Sequence, residues 1–428
     1  MDDAGVGVGL NQFRGRRVLL LQGPVGPFFR RLARDLRAAG AAVEKVNFNG
    51  GDWLFYPRGA RSYRGRLDGF ADYLRKLVRE RRIDTMLLYG DCRPVHRIAR
   101  SVAAELGLPV GVFEEGYVRP DYVTLEWGGV NGYSTLPKDP EFYLRQEFDA
   151  PGPPQRVGNT FYAAALWAVL YYLAAAVARP WFPHYQHHRP LVLAEAWPWL
   201  RGAWRKVIYG VRERGLLARF AGELSGRYFL VPLQLYVDAQ IRVHSPFDSV
   251  AEFISGVIAS FAGHAPPDTH LIVKHHPFDR GYNDYGSLIA EEARRQGIGD
   301  RVHYVHDLHL PTLLRHARGV VLVNSTVGMS ALFHGAPLKV CGSANYDMPG
   351  LVYQGTLDDF WHEAEGSRPD PNLHRRFRAF LIRATQINGS FYRRMKQGEG
   401  ASGLRWAEMS PPPWFRTGHV QELERKGA

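Results

Sequence analysis

Short apolar runs alternate with stretches of helical periodicity in the first part of the chain. The apolar runs are typical of buried strands and cover residues 17–21, 42–48, 85–89 and 109–113. Between them, apolar residues recur three or four positions apart, which predicts helices over residues 28–39, 67–81 and 95–106. Strands that alternate with helices in this way predict a parallel, doubly wound sheet.

The same alternation returns later in the chain. Predicted strands cover residues 228–233, 270–274, 302–305, 319–323 and 337–341, and predicted helices cover 249–261, 288–296, 311–316 and 327–334. We therefore expect an α/β fold of the GT-B architecture, in which two Rossmann-like domains face a central cleft. The expected domains are residues 1–150 and 226–355, and the tail 356–428 is expected to be helical and to cross back over both.

The middle of the chain, residues 151–225, has a different pattern and is predicted to be a linker. Residues 161–177 form an apolar run without a charge, and about 17 residues is the lower limit for spanning a bilayer. A buried helix and a helix that enters the membrane are both open interpretations. Residues 201–220 interleave apolar and basic residues, which suits an anionic membrane surface or a solvated helix face.

Composition narrows the class of partner. The 428 residues carry a formal net charge of +12, which suits nucleic acid, anionic lipid or an anionic small substrate. Nucleic acid is disfavoured, because the chain has no zinc-finger, helix-turn-helix or RNP-like motif. The two cysteines favour a reducing compartment, and the start of the chain lacks an apolar signal segment. We expect a cytoplasmic protein.

Two adjacent carboxylates, Glu114 and Glu115, follow a predicted strand. Neighbouring side chains in a strand point in opposite directions, so one carboxylate can enter the cleft and take a proton from an acceptor hydroxyl. A turn or capping acid is the alternative. The polar and aromatic residues that follow are predicted to bind the acceptor or the sugar: Tyr117, Arg119, Asp121 and Tyr122.

A basic string follows a predicted strand of the second domain: Lys274, His275, His276 and Pro277. An imidazole N–H held at such a strand end can bind a phosphate or a sugar carboxylate. One of the two histidines is easily explained as a buried core residue, and we predict His276 as the ligand contact. Adjacent histidines face opposite sides of a strand and no third ligand is evident, so a metal site is not expected.

Further candidates lie in polar turns. Asn324, Ser325, Thr326 and Gly328 stand between a strand and a helix, where Ser325 or Thr326 caps the helix and the free amides attract a donor phosphate. Gln22 and Gly23 follow the first strand and form either an acceptor loop or a plain turn. Asp238 and Gln240 are predicted to contact the acceptor or the nucleobase of the donor.

The chain has no Asp-x-Asp pair, which metal-dependent transfer from nucleoside diphosphate sugars often uses. A nucleoside monophosphate sugar carries one phosphate, which side chains alone can neutralise. The sequence therefore favours a CMP-activated donor, with no metal and no other cofactor.

These strings together resemble the KpsS/LipB family of capsular polysaccharide proteins, which are bacterial β-Kdo transferases. The matching stretches are residues 18–24, 114–126, 234–249, 274–277 and 324–328. The resemblance implies a GT-B enzyme that uses CMP-Kdo and builds a Kdo linker on a phosphatidylglycerol-type lipid. It also implies a peripheral position at the cytoplasmic face of the inner membrane, beside other capsule assembly enzymes.

The acidic and histidine strings also look like those of bacterial sialyltransferases. There the acid is the catalytic base and the histidine binds the CMP phosphate. Carried over, these roles fall on Glu114 or Glu115 and on His276. Three alternatives stay open: a sialyl-type CMP-sugar transferase, a nucleotide-sugar epimerase and a non-catalytic, membrane-associated component of capsule export.

Overall fold

The protein is described by a computed structural model over residues 9–148, 152–186, 196–237, 239–396, 398 and 400–406. The chain forms two compact units. The first unit consists of Met1–Thr135, Asp149–Leu193 and Ala379–Ala428. The second consists of Leu136–Phe148 and Ala194–Arg378.

Both units contain a sheet flanked by helices. The strands are β1 Arg17–Leu20, β2 Ala42–Asn47, β3 Arg61–Ser62, β4 Thr85–Tyr89, β5 Val110–Glu115, β6 Tyr122–Trp127, β7 Tyr228–Pro232, β8 His270–Lys274, β9 Val302–Val305, β10 Gly319–Leu322, β11 Leu338–Val340 and β12 Gln386–Asn388. The helices are α1 Phe28–Ala38, α2 Gly50–Phe55, α3 Phe70–Arg81, α4 Pro94–Glu105, α5 Pro140–Leu144, α6 Phe161–Val177, α7 Ala196–Arg212, α8 Leu216–Ala221, α9 Ala239–His244, α10 Val250–His264, α11 Gly286–Arg295, α12 Leu310–His316, α13 Val327–Phe333, α14 Leu357–Glu363 and α15 Pro371–Thr385.

The first sheet has the order β12-β6-β5-β4-β1-β2-β3. The pairs from β5 to β3 are parallel, whereas β6 pairs antiparallel with both β5 and β12. The parallel part therefore has the doubly wound order 3-2-1-4-5, which reverses direction between β1 and β4.

The second sheet has the order β11-β10-β7-β8-β9, and all of its pairs are parallel. Counted within the unit, this is again 3-2-1-4-5, with the switch point between β7 and β10. The predicted pair of Rossmann-like α/β sheets is confirmed. The predicted central cleft stays a prediction.

Three strands were not predicted from the sequence: the two-residue β3, β6 and β12. β6 begins at Tyr122, inside the string expected to be a sugar-binding loop, and all six of its residues are buried. A methyl group at Gly116 would overlap the carbonyl oxygen of Tyr122, so the tight β5–β6 connection requires glycine there. The tail also differs from the prediction, because α15 ends at Thr385 and β12 follows it.

The predicted linker is divided between the two units. α6 covers the predicted apolar run and packs on α2, where a methyl group at Gly50 would overlap the carbonyl oxygen of Ala174. α7 belongs to the second unit. Within α6 only Tyr171 and Ala175 are buried, so the interpretation as an interior helix holds for one side of it. Among the described residues, no helix is both long and apolar enough to cross a membrane.

Candidate functional site

The two predicted catalytic carboxylates are the last residues of β5, and both are half-buried. Glu115 Oε1 accepts hydrogen bonds from the hydroxyls of Tyr392 at 2.7 Å and Tyr89 at 3.3 Å. Glu114 Oε1 accepts from the backbone N–H of Glu115 at 3.0 Å. Their side chains lie on opposite faces of the strand, as predicted. Both acids are therefore positioned by the sheet, and either can accept a proton at its carboxyl end.

A buried carboxylic acid lies behind this pair. Glu126 on β6 receives hydrogen bonds from the Tyr117 hydroxyl at 3.2 Å, from the Ser134 hydroxyl and from the Thr135 N–H. Burial raises the pKa of Glu126 to about 8, against the lowering effect of these bonds. The Tyr117 hydroxyl also accepts from the Asn131 N–H at 2.8 Å. Tyr117 is buried and supports the β5–β6 edge. This position argues against the predicted contact with the sugar.

The remaining predicted residues of this string have different positions. Asp121 Oδ1 accepts from the Val157 N–H at 2.7 Å, and its backbone carbonyl accepts from Gly389 N–H at 2.9 Å. Tyr122 is buried within β6. These two residues join parts of the first unit, which argues against their predicted role as ligand contacts. Arg119 is exposed, and its Nε donates to the Gly116 carbonyl at 3.3 Å.

Gln22 lies at the carboxyl end of β1, but its amide is engaged inside the unit. Its Nε2 donates to the hydroxyls of Tyr185 at 2.8 Å and Tyr171 at 3.0 Å, and lies 3.3 Å from Asp52 Oδ2. A methyl group at Gly23 would approach the Phe29 ring to 2.8 Å, so Gly23 serves close packing. Gln22 holds α6 and the residues after it over the sheet, rather than standing open to an acceptor.

Sequence reasoning missed three basic side chains near this edge: Lys45, Arg93 and His96. Lys45 is buried, with Nζ 2.5 Å from the Val46 carbonyl oxygen, and burial lowers its pKa to about 8. His96 is fully buried beside Arg93, and burial lowers its pKa to about 3, so it is neutral. Arg93 Nη1 donates to the Gly23 carbonyl at 3.3 Å. Arg93 and His96 could have been found from their position after the carboxyl end of β4, whereas Lys45 lies within β2 and carried only the signal of a charge inside an apolar run.

In the second unit, β8 ends at Lys274. Its Nζ is buried and donates to the His306 carbonyl at 2.9 Å. Burial lowers the pKa of Lys274, against the raising effect of Asp307 and Glu213. His275 is also buried, its Nδ1 lies 2.7 Å from the Tyr304 hydroxyl, and burial lowers its pKa to about 3. Lys274 can act on a donor through its charge, whereas His275 is a neutral core residue.

His276 differs from His275 because it is only half-buried. Its Nδ1 accepts from the Phe278 N–H at 3.2 Å, at the start of a short 3₁₀ turn that opens with the exposed Pro277. A neutral imidazole that accepts at Nδ1 carries its proton on Nε2, so His276 has a donor for an anion. This geometry favours His276 over His275, and its contact with a ligand stays a prediction.

The polar turn after β10 lies at the switch point of the second sheet. Asn324 and Gln234 exchange two hydrogen bonds, of 2.9 and 3.2 Å, and Asn324 Nδ2 also donates to the Gln240 carbonyl at 3.1 Å. Asn324 is buried, so it positions the segment that contains Gln240. The predicted Asp238 lies outside the described residues.

The helix cap after this turn is formed by Ser325. Its Oγ accepts from the Val327 N–H at 3.2 Å, whereas Thr326 makes no side-chain cap. The Tyr346 hydroxyl donates to the Ser325 carbonyl, and a methyl group at Gly328 would overlap that hydroxyl. Gly328 is thus required by packing, and a phosphate contact at this turn stays a prediction.

Another missed cluster lies beside Lys274. Glu213, just after α7, accepts from His306 N–H at 2.7 Å, from its Nδ1 at 2.8 Å and from Asp307 N–H at 3.0 Å. The Tyr209 ring stacks on the His306 ring with centroids 3.5 Å apart. Among the described residues, no group of three or more His, Cys, Asp or Glu side chains could hold a metal ion.

Known proteins place this chain in a family. Residues 84–392 match the family described as "Capsule polysaccharide biosynthesis protein". The capsule polysaccharide export protein KpsS of Escherichia coli is 44% identical over 88% of this chain and 97% of its own. The capsule polysaccharide modification protein LipB of Neisseria meningitidis is 41% identical over 88% of this chain and 91% of its own.

Among solved structures, KpsC of Thermosulfurimonas dismutans, a beta Kdo 2,7 transferase, matches over 87% of this chain and 92% of its own. The TM-score is 0.43 and the identity 14%. So distant a likeness does not assign an activity to this chain. The extent of the family match and the identity to the two curated relatives are decisive: the chain belongs to the capsule polysaccharide biosynthesis protein family.

Proposed function

We propose that this protein is a glycosyltransferase that moves Kdo from CMP-Kdo onto a phosphatidylglycerol-type lipid, or onto the first Kdo on that lipid. It would act as a peripheral protein at the cytoplasmic face of the inner membrane and start the linker of a capsular polysaccharide. The family membership and the resemblance of the acidic and histidine strings to CMP-sugar transferases support this proposal.

The observation that carries it is the matched placement of the two strings. Glu114 and Glu115 end β5 of one 3-2-1-4-5 sheet, and Lys274 ends β8 of the other, with His275 and His276 directly after it. Open α/β sheets bind ligands outside the carboxyl ends of their strands. One unit therefore offers carboxylates, and the other offers an imidazole N–H and a buried ammonium.

In the proposed reaction, an acceptor hydroxyl oxygen bonds to the anomeric carbon of Kdo while the bond to the CMP phosphate breaks. The hydroxyl proton passes to Glu114 or Glu115. The charge that develops on the departing CMP is stabilised by His276 Nε2–H and by the positive charge of Lys274. The hydroxyls of Tyr89 and Tyr392 hold Glu115 in place during this transfer.

The test incubates purified protein with CMP-Kdo and phosphatidylglycerol vesicles and measures CMP release and lipid-linked Kdo. Glu114→Gln, Glu115→Gln and His276→Ala are compared with two exposed controls, Glu80→Gln on α3 and His264→Ala at the end of α10. We expect the variant of whichever glutamate is the catalytic base to lose activity about 100-fold or more, and both controls to keep their activity. Absence of CMP release and of lipid product with the wild-type protein would contradict the proposal.

The E. coli relative is named as a capsule polysaccharide export protein, which favours one second candidate: a non-catalytic component of capsule export. The combined variant Glu114→Gln, Glu115→Gln, His276→Ala separates the two in cells. Normal capsule with this variant would support the export role, and loss of capsule with normal protein levels would support the enzyme.

A further inference from the structure

The outer side of α7 carries an exposed apolar stripe. Its members recur three or four residues apart, are between 53% and 68% exposed, and include two tryptophans: Trp197, Leu200, Trp204, Val207 and Val211. This spacing places them along one side of the helix. An exposed row of this size and composition is typical of an interaction surface rather than of scattered surface residues.

The inner side of the same helix is fixed by hydrogen bonds and a stacked ring. Arg201 Nε donates to the Gly281 carbonyl at 2.7 Å, and Arg205 Nη1 donates to the Arg280 carbonyl at 2.8 Å. One and two turns further on, Tyr209 and Glu213 hold His306. These four residues are spaced by four, so the three on α7 and Glu213 directly after it form a second row.

The fixed inner row means that α7 cannot turn its stripe inward without breaking these bonds. The start of the helix packs closely on the same segment, because a methyl group at Gly281 would overlap the carbonyl oxygen of Pro198. Trp199 Nε1 also donates to the Tyr282 hydroxyl at 3.1 Å. The stripe is therefore presented to the outside by the fold itself.

The exposed charges on α7 and directly after it are positive. No Asp or Glu occurs within residues 196–212, and Lys206, Arg212 and Arg214 are exposed. The nearby acid Glu213 is buried against His306. Tryptophan at an apolar–polar boundary, with lysine and arginine alongside, is typical of helices that lie in the headgroup region of an anionic bilayer.

We propose that α7 is the element through which this protein docks on an anionic phospholipid bilayer, with its apolar stripe in the headgroup region and its axis parallel to the surface. Lys206, Arg212 and Arg214 contact the phosphates. This inference adds the membrane-binding element to the proposed function. It rests on the proposed function only in taking a lipid surface as the place where the acceptor is found.

The experiment measures co-sedimentation of the full chain with vesicles of phosphatidylcholine alone and of phosphatidylcholine with phosphatidylglycerol. We expect binding to the anionic vesicles, weaker binding at high salt, and a loss of about tenfold or more for the variant Trp197→Ser, Leu200→Ser, Trp204→Ser. A second variant, Lys206→Glu with Arg212→Glu, should lose binding to the anionic vesicles without removing any apolar side chain.

The matched control is on α6, which has its own exposed apolar stripe but no charge. The variant Leu166→Ser, Val169→Ser, Leu173→Ser should bind anionic vesicles like the wild type. Unchanged binding by both α7 variants would overturn the proposal, as would equal binding of the wild type to both vesicle types. A wild-type dimer that the α7 stripe variant turns into a monomer, without vesicle binding, would assign the stripe to a second copy instead.

Transfer to detergent-dispersed acceptor separates this inference from the proposed function. An α7 variant that has lost vesicle binding but keeps CMP release in detergent supports the docking role. Wild-type protein that binds anionic vesicles through α7 but releases no CMP from CMP-Kdo leaves the docking role intact and removes the proposed activity.

Discussion

α6 and α7 are two helices of 17 residues that present apolar stripes, yet they are built differently. The stripe of α6 comprises Tyr162, Leu166, Val169, Leu173 and Val177, which are between 46% and 78% exposed, similar to the stripe of α7. α6 has no charged residue, whereas α7 carries arginines and a lysine. Apolar exposure alone therefore does not distinguish the two helices, and charge does.

The inner sides of α6 and α7 are also held by different groups, and those that hold α7 are mostly charged. α6 is held by the Tyr171 hydroxyl, which lies 2.7 Å from Asn49 Nδ2, 3.0 Å from Gln22 Nε2 and 3.1 Å from Asp52 Oδ1. α7 is held by arginines on backbone carbonyls and by the Glu213–His306 pair. The comparison teaches that α6 is attached to its unit through one buried tyrosine and its uncharged and acidic partners, whereas α7 is attached by arginines and by an acid–histidine pair.

The sharpest test of this difference uses two glycines that contact the helices. Gly50→Ala puts a methyl group into the α6 backbone, and we expect a loss of about 3 kcal/mol in the free energy of unfolding of the first unit. Gly281→Ala puts a methyl group against Pro198 at the start of α7 and should cost about 1–2 kcal/mol, because only the first turn of this helix has to shift. Denaturant unfolding measures both.

The control for this pair is Gly210→Ala, within α7, where a methyl group meets no atom within 4 Å. It should stabilise by about 0.5–1 kcal/mol, because alanine favours the helix. An equal loss for Gly50→Ala and Gly281→Ala would show that both helices pack equally tightly on their units.

Next in size is Tyr171→Phe. It removes one buried hydroxyl that bonds Asn49, Gln22 and Asp52, for an expected loss of about 2 kcal/mol, although Gln22 keeps the Tyr185 hydroxyl as a partner. Burial raises the pKa of Tyr171 well above its usual value, so this loss should not vary between pH 5 and 8. The measurement is unfolding at several pH values. Tyr162→Phe, at an exposed position of α6, is the control and should change little.

Glu213→Gln should instead show a pH dependence. Burial raises the pKa of Glu213, but the hydrogen bonds from His306 and Asp307 outweigh it and leave the pKa below its usual value. A carboxylate with a lowered folded-state pKa stabilises above its unfolded pKa of 4.5, and this stability is lost as the pH falls through the folded pKa. We expect a loss of about 1.5 kcal/mol at pH 7 that shrinks below pH 4.5.

The readout for Glu213→Gln is the difference in unfolding free energy from the wild type across pH 3.5 to 7. Glu223→Gln, an exposed acid that follows α8, serves as the control with little expected effect. A difference that stays constant across this range would mean that the charge of Glu213 does not attach α7.

The smallest expected effect is that of Arg201→Lys. Arg201 donates to the carbonyls of both Gly281 and Tyr282, and lysine lacks the planar fork that reaches two acceptors. We expect a loss of about 0.5 kcal/mol and unchanged vesicle binding, since the positive charge is kept. A large loss of stability would show that the arginine row, rather than Glu213, dominates the attachment of α7.

Much of the fold was predictable, because local apolar runs mark buried parallel strands. The bounds of β4, β8, β9 and α6 agree with the sequence prediction. β6 was missed because polar residues precede it and its pairing with β5 and β12 is long-range, and β12 was missed because it has three residues. Such strands carry little local signal and are defined by their partners.

The candidate site was predictable in part. The sequence placed Glu114, Glu115 and His276 at strand ends, where the structure has them at the carboxyl edges of their sheets. It could not predict that Tyr117 is hydrogen-bonded to Glu126 or that Gln22 is hydrogen-bonded to Tyr171 and Tyr185. Those partners lie up to 163 positions away in the chain.

The sequence by itself determined two parallel sheets, the acidic and histidine strings, and an uncharged helix followed by a basic one, because periodicity and charge are local properties. The tertiary structure alone decided which polar side chains are buried against partners within the fold and which are left half-buried or exposed. It separated His276 from the buried His275, and it fixed the inner side of α7 so that its apolar stripe faces outward. Hydrogen-bond partners distant in sequence make these choices, and only folding brings them together.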